Sequence, residues 1–384
     1  MKNFFFVPRM LVPAKERQNW SVIACDRYQN ERSYWENQAS ARGAIPSALN
    51  LIFPEVYRGE DDEERYARIR EEAYTALEND YLEKLARGFI LLERTSAGEV
   101  RRGIVAAIDL ECFAEGGSEG QVRCSKRAQK SAIEHYLKLR EKSPVEMPHV
   151  VIAYTDPKNR TLNALFKGDL EETYRYKIDG VELTGYFLPE EDAEEVSREL
   201  LLRSEGFFVV EGVAAAEAAK LHWKKVKEGL TKGEMGRHPA RFMLAEFNNL
   251  CDDAVSVRPV HRLIKETDAE AFCDYFAKQF RCERRDGLLV PNVPFSAESV
   301  EKIDEAIARF IKADGGKCVC IHDEERLKKF AISSDAVGVL MPCPKKSQLI
   351  KELNAGATYP ENSFCIGGEK GARYYVEARE ISYD

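Results

Sequence analysis

One local switch constrains this chain more than any other feature. The run Phe207-Phe208-Val209-Val210 is uniformly apolar and stops at Glu211-Gly212, and helical spacing follows at once, with Ala219, Trp223, Val226 and Leu230 on one face. A strand that feeds a helix through glycine is a common place for chemistry, because free backbone N–H groups and the helix dipole favour an anion there. Here the turn offers only Val213, Ala214, Ala215 and Ala216, so a position suited to a charged ligand carries methyl groups.

The same reading extends along the chain. Trp20 to Cys25 reads as a short buried strand ending in the polar turn Asp26-Arg27-Tyr28, and a long helix is expected from Asp62 to Arg87, closed by Gly88. Phe89–Glu93 and Val100–Leu110 read as strands of one hairpin turning at Ser96 to Glu99, and Tyr174–Leu188 as another turning at Asp179-Gly180. The loop Glu115 to Gly120 breaks the pattern before a basic helix, Lys126 to Arg140. Helix Glu190 to Arg203 leads into the opening stretch. Arg241–Leu250 and Val255–Ile264 read as further strands, the second carrying His261-Arg262, and the remaining residues alternate helix and strand in short units. The fold class expected is therefore mixed α/β. A boundary is placed near residue 265, dividing a core domain with a ligand cleft, 1–265, from a smaller α/β lobe, 266–384.

A formal charge of −8 and a pI near 5.6 argue against general affinity for nucleic acid or anionic membrane, since both need a basic surface. The start, MKNFFFVPRMLVP, is broken by prolines and an arginine and does not read as a signal peptide. No run reaches the ~20 apolar residues of a membrane helix, and the expected location is the cytoplasm. Ten cysteines without a C-x-x-C pair read as reduced thiols, mostly small core residues. Cys318, Cys320 and His322 alternate along one strand, but no fourth ligand is identifiable. They are read as two buried cysteines and a histidine at a strand end, and no metal site is assigned. Phosphate loops of the G-x-x-x-x-G-K-[ST] kind, dinucleotide fingerprints and H-E-x-x-H are missing.

Several words are specific enough to carry a resemblance: WSVIACDRY, LNLIFPEVY, LLERT and RRGIVAAIDLE in the first third, then MPHVV, EAAKLHW, HPARFML, RPVHRLI and FCIGGEKGARYYVEAR. Together they resemble a bacterial family of unknown function, numbered 1015, nearly end to end. The resemblance implies, more distantly, a ParB and sulfiredoxin-like core, a mixed sheet flanked by helices, of the kind found in free-serine kinases. It implies binding of a nucleotide, with Mg²⁺, or of a small phosphorylated metabolite. Where the family pattern carries an Asp-Gly-Asn-His-Ser word, this chain has Glu211-Gly212-Val213-Ala214-Ala215. Where the pattern carries Arg-Ala-Thr-Glu-Gly-Thr, it has Arg123-Cys124-Ser125-Lys126-Arg127-Ala128. An ammonium at Lys126 neither holds a divalent cation nor accepts a proton at neutral pH.

The expected reading is a divergent member that keeps the scaffold, has lost phosphoryl-transfer chemistry, and binds a small anionic metabolite or nucleotide. The alternatives are a phosphotransferase or phosphate-ester enzyme with a rearranged site, and a structural subunit without ligand. Residual catalysis would fall to Glu211, Glu93 and His261. Ligand contact is assigned to Asp26, Arg94, Arg123, Gly212, His238, Arg241 and Arg262. The basic face Arg123, Lys126, Arg127 and Lys130 is read as solvated, with phosphate binding as its alternative.

Overall fold

The switch at Glu211-Gly212 is built as a strand, Phe207–Glu211, that turns through Gly212 (φ 68°) into a helix, Val213–Lys227. A computed structural model describes residues 4–15, 19–114, 120–333, 336–367 and 371–382, which leaves most of the loop 115–120 outside the described residues. The architecture is mixed α/β, as the alternating patterns lead one to expect. The chain divides into two compact units. The first takes Met1–Cys124, Ala128–Val255 and Lys370–Asp384, and the second takes Ser125–Arg127 and Ser256–Glu369.

The first unit is organised on one mixed sheet. In chain order its main strands are β1 (Leu82–Ser96), β2 (Glu99–Asp109), β3 (Val122–Cys124), β4 (Val150–Tyr154), β5 (Glu171–Ile178), β6 (Val181–Pro189), β7 (Phe207–Glu211) and β8 (Phe242–Asn249). They lie side by side as β3-β7-β4-β8-β2-β1-β6-β5. The pairs β3/β7 and β4/β8 are parallel and the others antiparallel. Both expected hairpins form, at Ala97-Gly98 and Asp179-Gly180, where both central residues have positive φ, the backbone that favours Asx-Gly and X-Gly pairs in two-residue turns.

One face of the sheet is covered by α1 (Glu190–Arg203) and α2 (Val213–Lys227), whose Ala193, Val196, Leu200, Ala216, Ala219 and Trp223 pack on Ile104, Ala106, Ile152 and Phe247. The other face is covered by Trp20, Trp35, Ala73, Tyr374 and their neighbours, which pack on Ile90, Leu92, Val105 and Leu244. A further helix, α3 (Lys130–Lys142), lies on α2 through Ala132, Tyr136, Ala214 and Ala218. The alanine run therefore serves two packing contacts, with the sheet on one side and with a helix on the other.

The expected helix Asp62–Arg87 ends earlier, at Glu78. Asp80 takes a positive φ of 53°, and residues from Leu82 onward bond to the strand Arg9–Pro13, so the apolar spacing at Leu85 belongs to a strand. The basic helix begins at Lys130 and not Lys126.

The second unit holds a five-stranded sheet in which His261–Lys265 pairs with both Lys317–Ile321 and Val337–Val339, around Leu263, Leu288, Ile321, Leu327 and Leu340. Lys317–Ile321 is an edge strand, so Cys318 is exposed and Cys320 half-buried, in place of the buried pair expected. Of the ten cysteines only Cys25, Cys112 and Cys365 are buried. Among the described residues no group of three or more His, Cys, Asp or Glu is placed to hold a metal ion. Among the described residues no helix is long and apolar enough to cross a membrane.

Candidate functional site

A cluster of buried charged residues in the first unit lies on the sheet face that carries Val105 and Leu244. Side chains alternate along a strand, so Glu246 and Asn248 project to the same face as Leu244, and Arg101 and Gly103 to the same face as Val105. Arg94 of β1 stands directly opposite Arg101 of β2. Glu246 of β8, 1% exposed, receives all of this charge. Arg94 donates to its two oxygens from Nη1 at 3.3 Å and Nη2 at 3.0 Å, Arg101 from Nη2 at 3.2 Å, and Arg373 from Nη1 at 2.7 Å. Arg373 also donates to Glu377 at 2.6 Å and to the Pro148 carbonyl at 2.7 Å, and the Tyr174 hydroxyl donates to Glu377.

Gly103 makes room for this convergence. A Cβ there would lie 2.5 Å from the Asn248 amide nitrogen and 3.3 Å from Glu246 Oε1, so only glycine lets the carboxylate and amide settle over β2. Burial alone would raise the Glu246 carboxyl, but Arg94, Arg101 and Arg373 outweigh it and hold it well below the usual range. Burial, and then the neighbouring Arg94, push Arg101 down to about 10, which leaves it charged at neutral pH.

The charges do not balance. Three guanidinium groups, Arg94, Arg101 and Arg373, meet two carboxylates, Glu246 and Glu377, so one positive charge is left over in the interior. The hydrogen bonds do not balance either. Among the described residues, Arg94 Nε, Arg101 Nε, Arg101 Nη1 and the Asn248 carbonyl oxygen are buried without a protein partner. Buried polar groups are almost always paired, and a buried cation without a counter-charge costs several kcal/mol.

The β7–α2 turn borders this cluster. Glu211 stands opposite Val151, and Val151 stands opposite Glu246 in the next strand, so the two glutamates lie two strands apart, about 10 Å between backbones. Glu211 pairs at 3.6 Å with the buried Arg27, which lies close enough to Arg101 to depress its pKa further. Gly212 packs on the chain below. A Cβ at that position would lie 2.4 Å from the His149 carbonyl oxygen. His149 is itself buried, with Nε2 2.7 Å from the Tyr136 hydroxyl and Nδ1 hydrogen-bonded to the Tyr375 hydroxyl. Burial, with Arg373 adding to it, brings the His149 imidazole down to about 4.

The residues singled out from sequence fall into separate places. Arg94 joins the Glu246 cluster, and Glu211, Gly212 and Asp26 lie along its border through Arg27. Glu93 neighbours Arg94 in sequence and therefore points to the opposite face, where it accepts from Arg102 at 2.9 Å and from the Tyr186 hydroxyl at 3.1 Å. Arg123 is exposed on the edge strand β3, opposite Phe208. His238 caps a short turn by accepting from the Ala240 N–H at 3.2 Å, and Arg241 clamps the buried Asp109 through Nε at 3.0 Å and Nη2 at 2.6 Å.

His261 and Arg262 belong to the second unit. His261 Nδ1 accepts from the Met341 N–H at 3.2 Å, and Arg262 holds Asp304 at 2.8 and 2.9 Å. Lys126 donates to the Phe364 carbonyl at 2.9 Å, also within that unit, so the residue read from sequence as part of a basic face is tied to backbone.

Glu246, Arg101, Arg373, Glu377 and His149 were not singled out by the sequence reading. The available signal was a glutamate inside an otherwise apolar strand, FMLAEFNN, since such a carboxylate is buried only with partners.

A family described as a protein of unknown function, DUF1015, matches residues 7–355. This chain belongs to the DUF1015 family. A search of curated proteins gives no match for this DUF1015 member. Among solved structures it is similar to a free serine kinase variant in complex with ADP, at TM-score 0.40 and 10% identity over 72% of this chain and 92% of that one. It is also similar to a conserved hypothetical protein from Pyrococcus furiosus, at TM-score 0.39 and 10% identity over 72% and 95%. Free serine kinase in complex with AMP aligns at TM-score 0.39, 9% identity and 72% and 92% coverage.

Proposed function

We propose that this DUF1015 member is a binding protein for a small anionic metabolite, phosphorylated or nucleotide-like, seated at Arg94, Arg101 and Asn248. One observation carries the reading: a surplus buried guanidinium charge with three donor nitrogens that have no protein acceptor among the described residues. Arginine stays charged at any physiological pH, so the surplus is not relieved by proton loss, and the planar guanidinium edge matches phosphate or carboxylate oxygens. The Asn248 carbonyl adds an acceptor beside those donors, which suits a ligand carrying a hydroxyl or amine near its anionic group.

The chemistry of phosphoryl transfer is lost in this reading. Val213 and Ala214 are buried packing residues, Glu211 is engaged by Arg27, and Lys126 supplies an ammonium where the family pattern has a carboxylate. Phosphoryl transfer depends on positioned charge and on groups that orient the nucleophile, and methyl groups supply neither.

The test is thermal unfolding with inorganic phosphate, phosphoserine, serine, AMP and ADP. At least one phosphate compound should raise Tm by about 5 °C at a hundredfold excess over Kd. Arg101→Met should keep the fold, because it removes the unbalanced charge, and should abolish the shift. No shift with any of the anions, or an undiminished shift in the variant, overturns the binding proposal. Formation of a phosphorylated product from nucleotide and serine, abolished by Glu211→Ala, overturns the loss of catalysis.

A further inference from the structure

A second feature of the first unit stands apart from the Glu246 cluster. Beneath α3 lies a cavity of about 80 Å³ whose apolar wall includes Ile52, Phe53, Met147, Ala215 and Leu244. Its polar wall is made by Tyr136, Arg140, Ser143, Glu146, His149 and Tyr375. A space of this size holds several water volumes or one compact organic group, and a cavity walled mainly by apolar side chains favours the latter.

The protons of the polar wall can be counted. The Cys25 N–H donates to the Tyr375 hydroxyl at 3.4 Å, the Tyr375 hydroxyl meets His149 Nδ1, and His149 Nε2 meets the Tyr136 hydroxyl at 2.7 Å. Burial holds His149 at about 4 and pushes both phenols well above their ordinary value, so at neutral pH the imidazole carries one proton and each phenol keeps its own. The Cys25 thiol also meets the Tyr375 hydroxyl, so the direction of the chain follows the imidazole tautomer. With the proton on Nδ1, Tyr375 donates to the Cys25 sulfur and Tyr136 to Nε2; with it on Nε2, Tyr375 donates to Nδ1 and the Tyr136 hydroxyl proton has no acceptor among the described residues.

Arg140 repeats the imbalance one helical turn away. Tyr136 and Arg140 are four residues apart on α3 and lie on one helix face. The Arg140 side chain is 8% exposed. It donates from Nη1 to Glu146 and from Nη2 to the Phe242 carbonyl at 2.9 Å, while its buried Nε has no partner among the described residues. Glu146 is shared with Arg379, so two guanidinium groups face one carboxylate.

We infer that this cavity is a binding site for a small apolar carboxylic acid, with the carboxylate accepting from Arg140 Nε and from the Tyr136 hydroxyl in the Nε2–H tautomer of His149, and the hydrocarbon part against Ile52, Phe53, Met147 and Leu244. A buried N–H without an acceptor, a hydroxyl that one tautomer frees, two guanidinium groups against one carboxylate and an apolar remainder define an anionic head on a compact hydrocarbon body. Phosphate does not fit that description, because a second charge would meet the apolar wall.

Calorimetric titration of the whole protein with isovalerate and benzoate, with benzyl alcohol and inorganic phosphate as controls, tests the site. One of the acids should bind at least tenfold more tightly than benzyl alcohol. Tyr136→Phe, which keeps the ring and removes one hydroxyl, should weaken the acid about tenfold. Ala215→Leu, which fills the cavity from α2, should abolish binding. Both variants should keep the response to phosphate at the Glu246 cluster, so failure of one site is separable from failure of the other. Binding of neither acid, or equal affinity in the parent protein and Ala215→Leu, overturns the inference.

Discussion

Arg94, Arg101 and Arg373 converge on one carboxylate, and their dependence on it is unequal. Glu246→Gln should destabilise the protein by about 3–5 kcal/mol, measured by urea unfolding, because it leaves the buried Arg94 and Arg101 without a carboxylate and Arg373 with Glu377 alone. The single loss of Arg101 should cost far less, since it brings the cluster to neutrality. At this scale the sequence is legible where a word carries its own meaning and silent where partners are distant. Arg94 stands out within LLERT, but its acceptor lies 152 residues away, and no local spacing encodes such a pair. Glu93 shows the converse. Its neighbour enters the buried cluster, and strand alternation sends Glu93 to Arg102 and Tyr186 on the other face.

At the scale of elements, the strand-to-helix turn at Gly212 is a tight joint of the first unit. Gly212→Ala combines a positive φ with a Cβ placed 2.4 Å from the His149 carbonyl, a backbone atom that cannot swing aside. A loss of about 1–3 kcal/mol or more is expected from denaturant unfolding. Ala218→Leu should also destabilise, by about 1–3 kcal/mol, because α2 approaches α3 through alanines at that contact. The two hairpins and the helix Glu190–Arg203 were readable because turn residues, apolar runs and acidic first turns are local signals. The long helix Asp62–Arg87 was over-extended because Leu85 keeps a helical interval by chance. What makes residues 82–88 a strand is pairing with Arg9–Pro13, which local periodicity does not report.

For the whole molecule, four histidines withdrawn from water contribute to the response to acid, His135, His149 and His261 buried and His222 half-buried. His135, His149, His222 and His261 are all brought from 6.5 down to about 4, in each case first by burial. The folded state therefore binds fewer protons than the unfolded chain between these values. The stability contributed by neutral imidazoles is complete above pH 6.5 and is lost progressively as pH falls toward 4. The slope should reach up to about 1.4 kcal/mol per pH unit for each histidine, and His149→Gln should flatten the profile by one such share in urea unfolding measured from pH 4.5 to 7. The class of fold was legible at this scale because it follows from alternating patterns. The grouping of segments into units was not, because the segment Lys370–Asp384 supplies Arg373, Tyr375, Glu377 and Arg379 to the first unit from beyond the second.

That returning segment has a consequence for biosynthesis. The ribosome releases Val255 on the order of a hundred residues before it releases Arg373, a delay of roughly ten seconds at ordinary elongation rates. During that interval the nascent first unit holds Glu246 with two of its three arginines and lacks the tyrosine that closes the Cys25–His149 relay. The sheet face that receives this segment therefore stays uncovered until well after the rest of the first unit has been made.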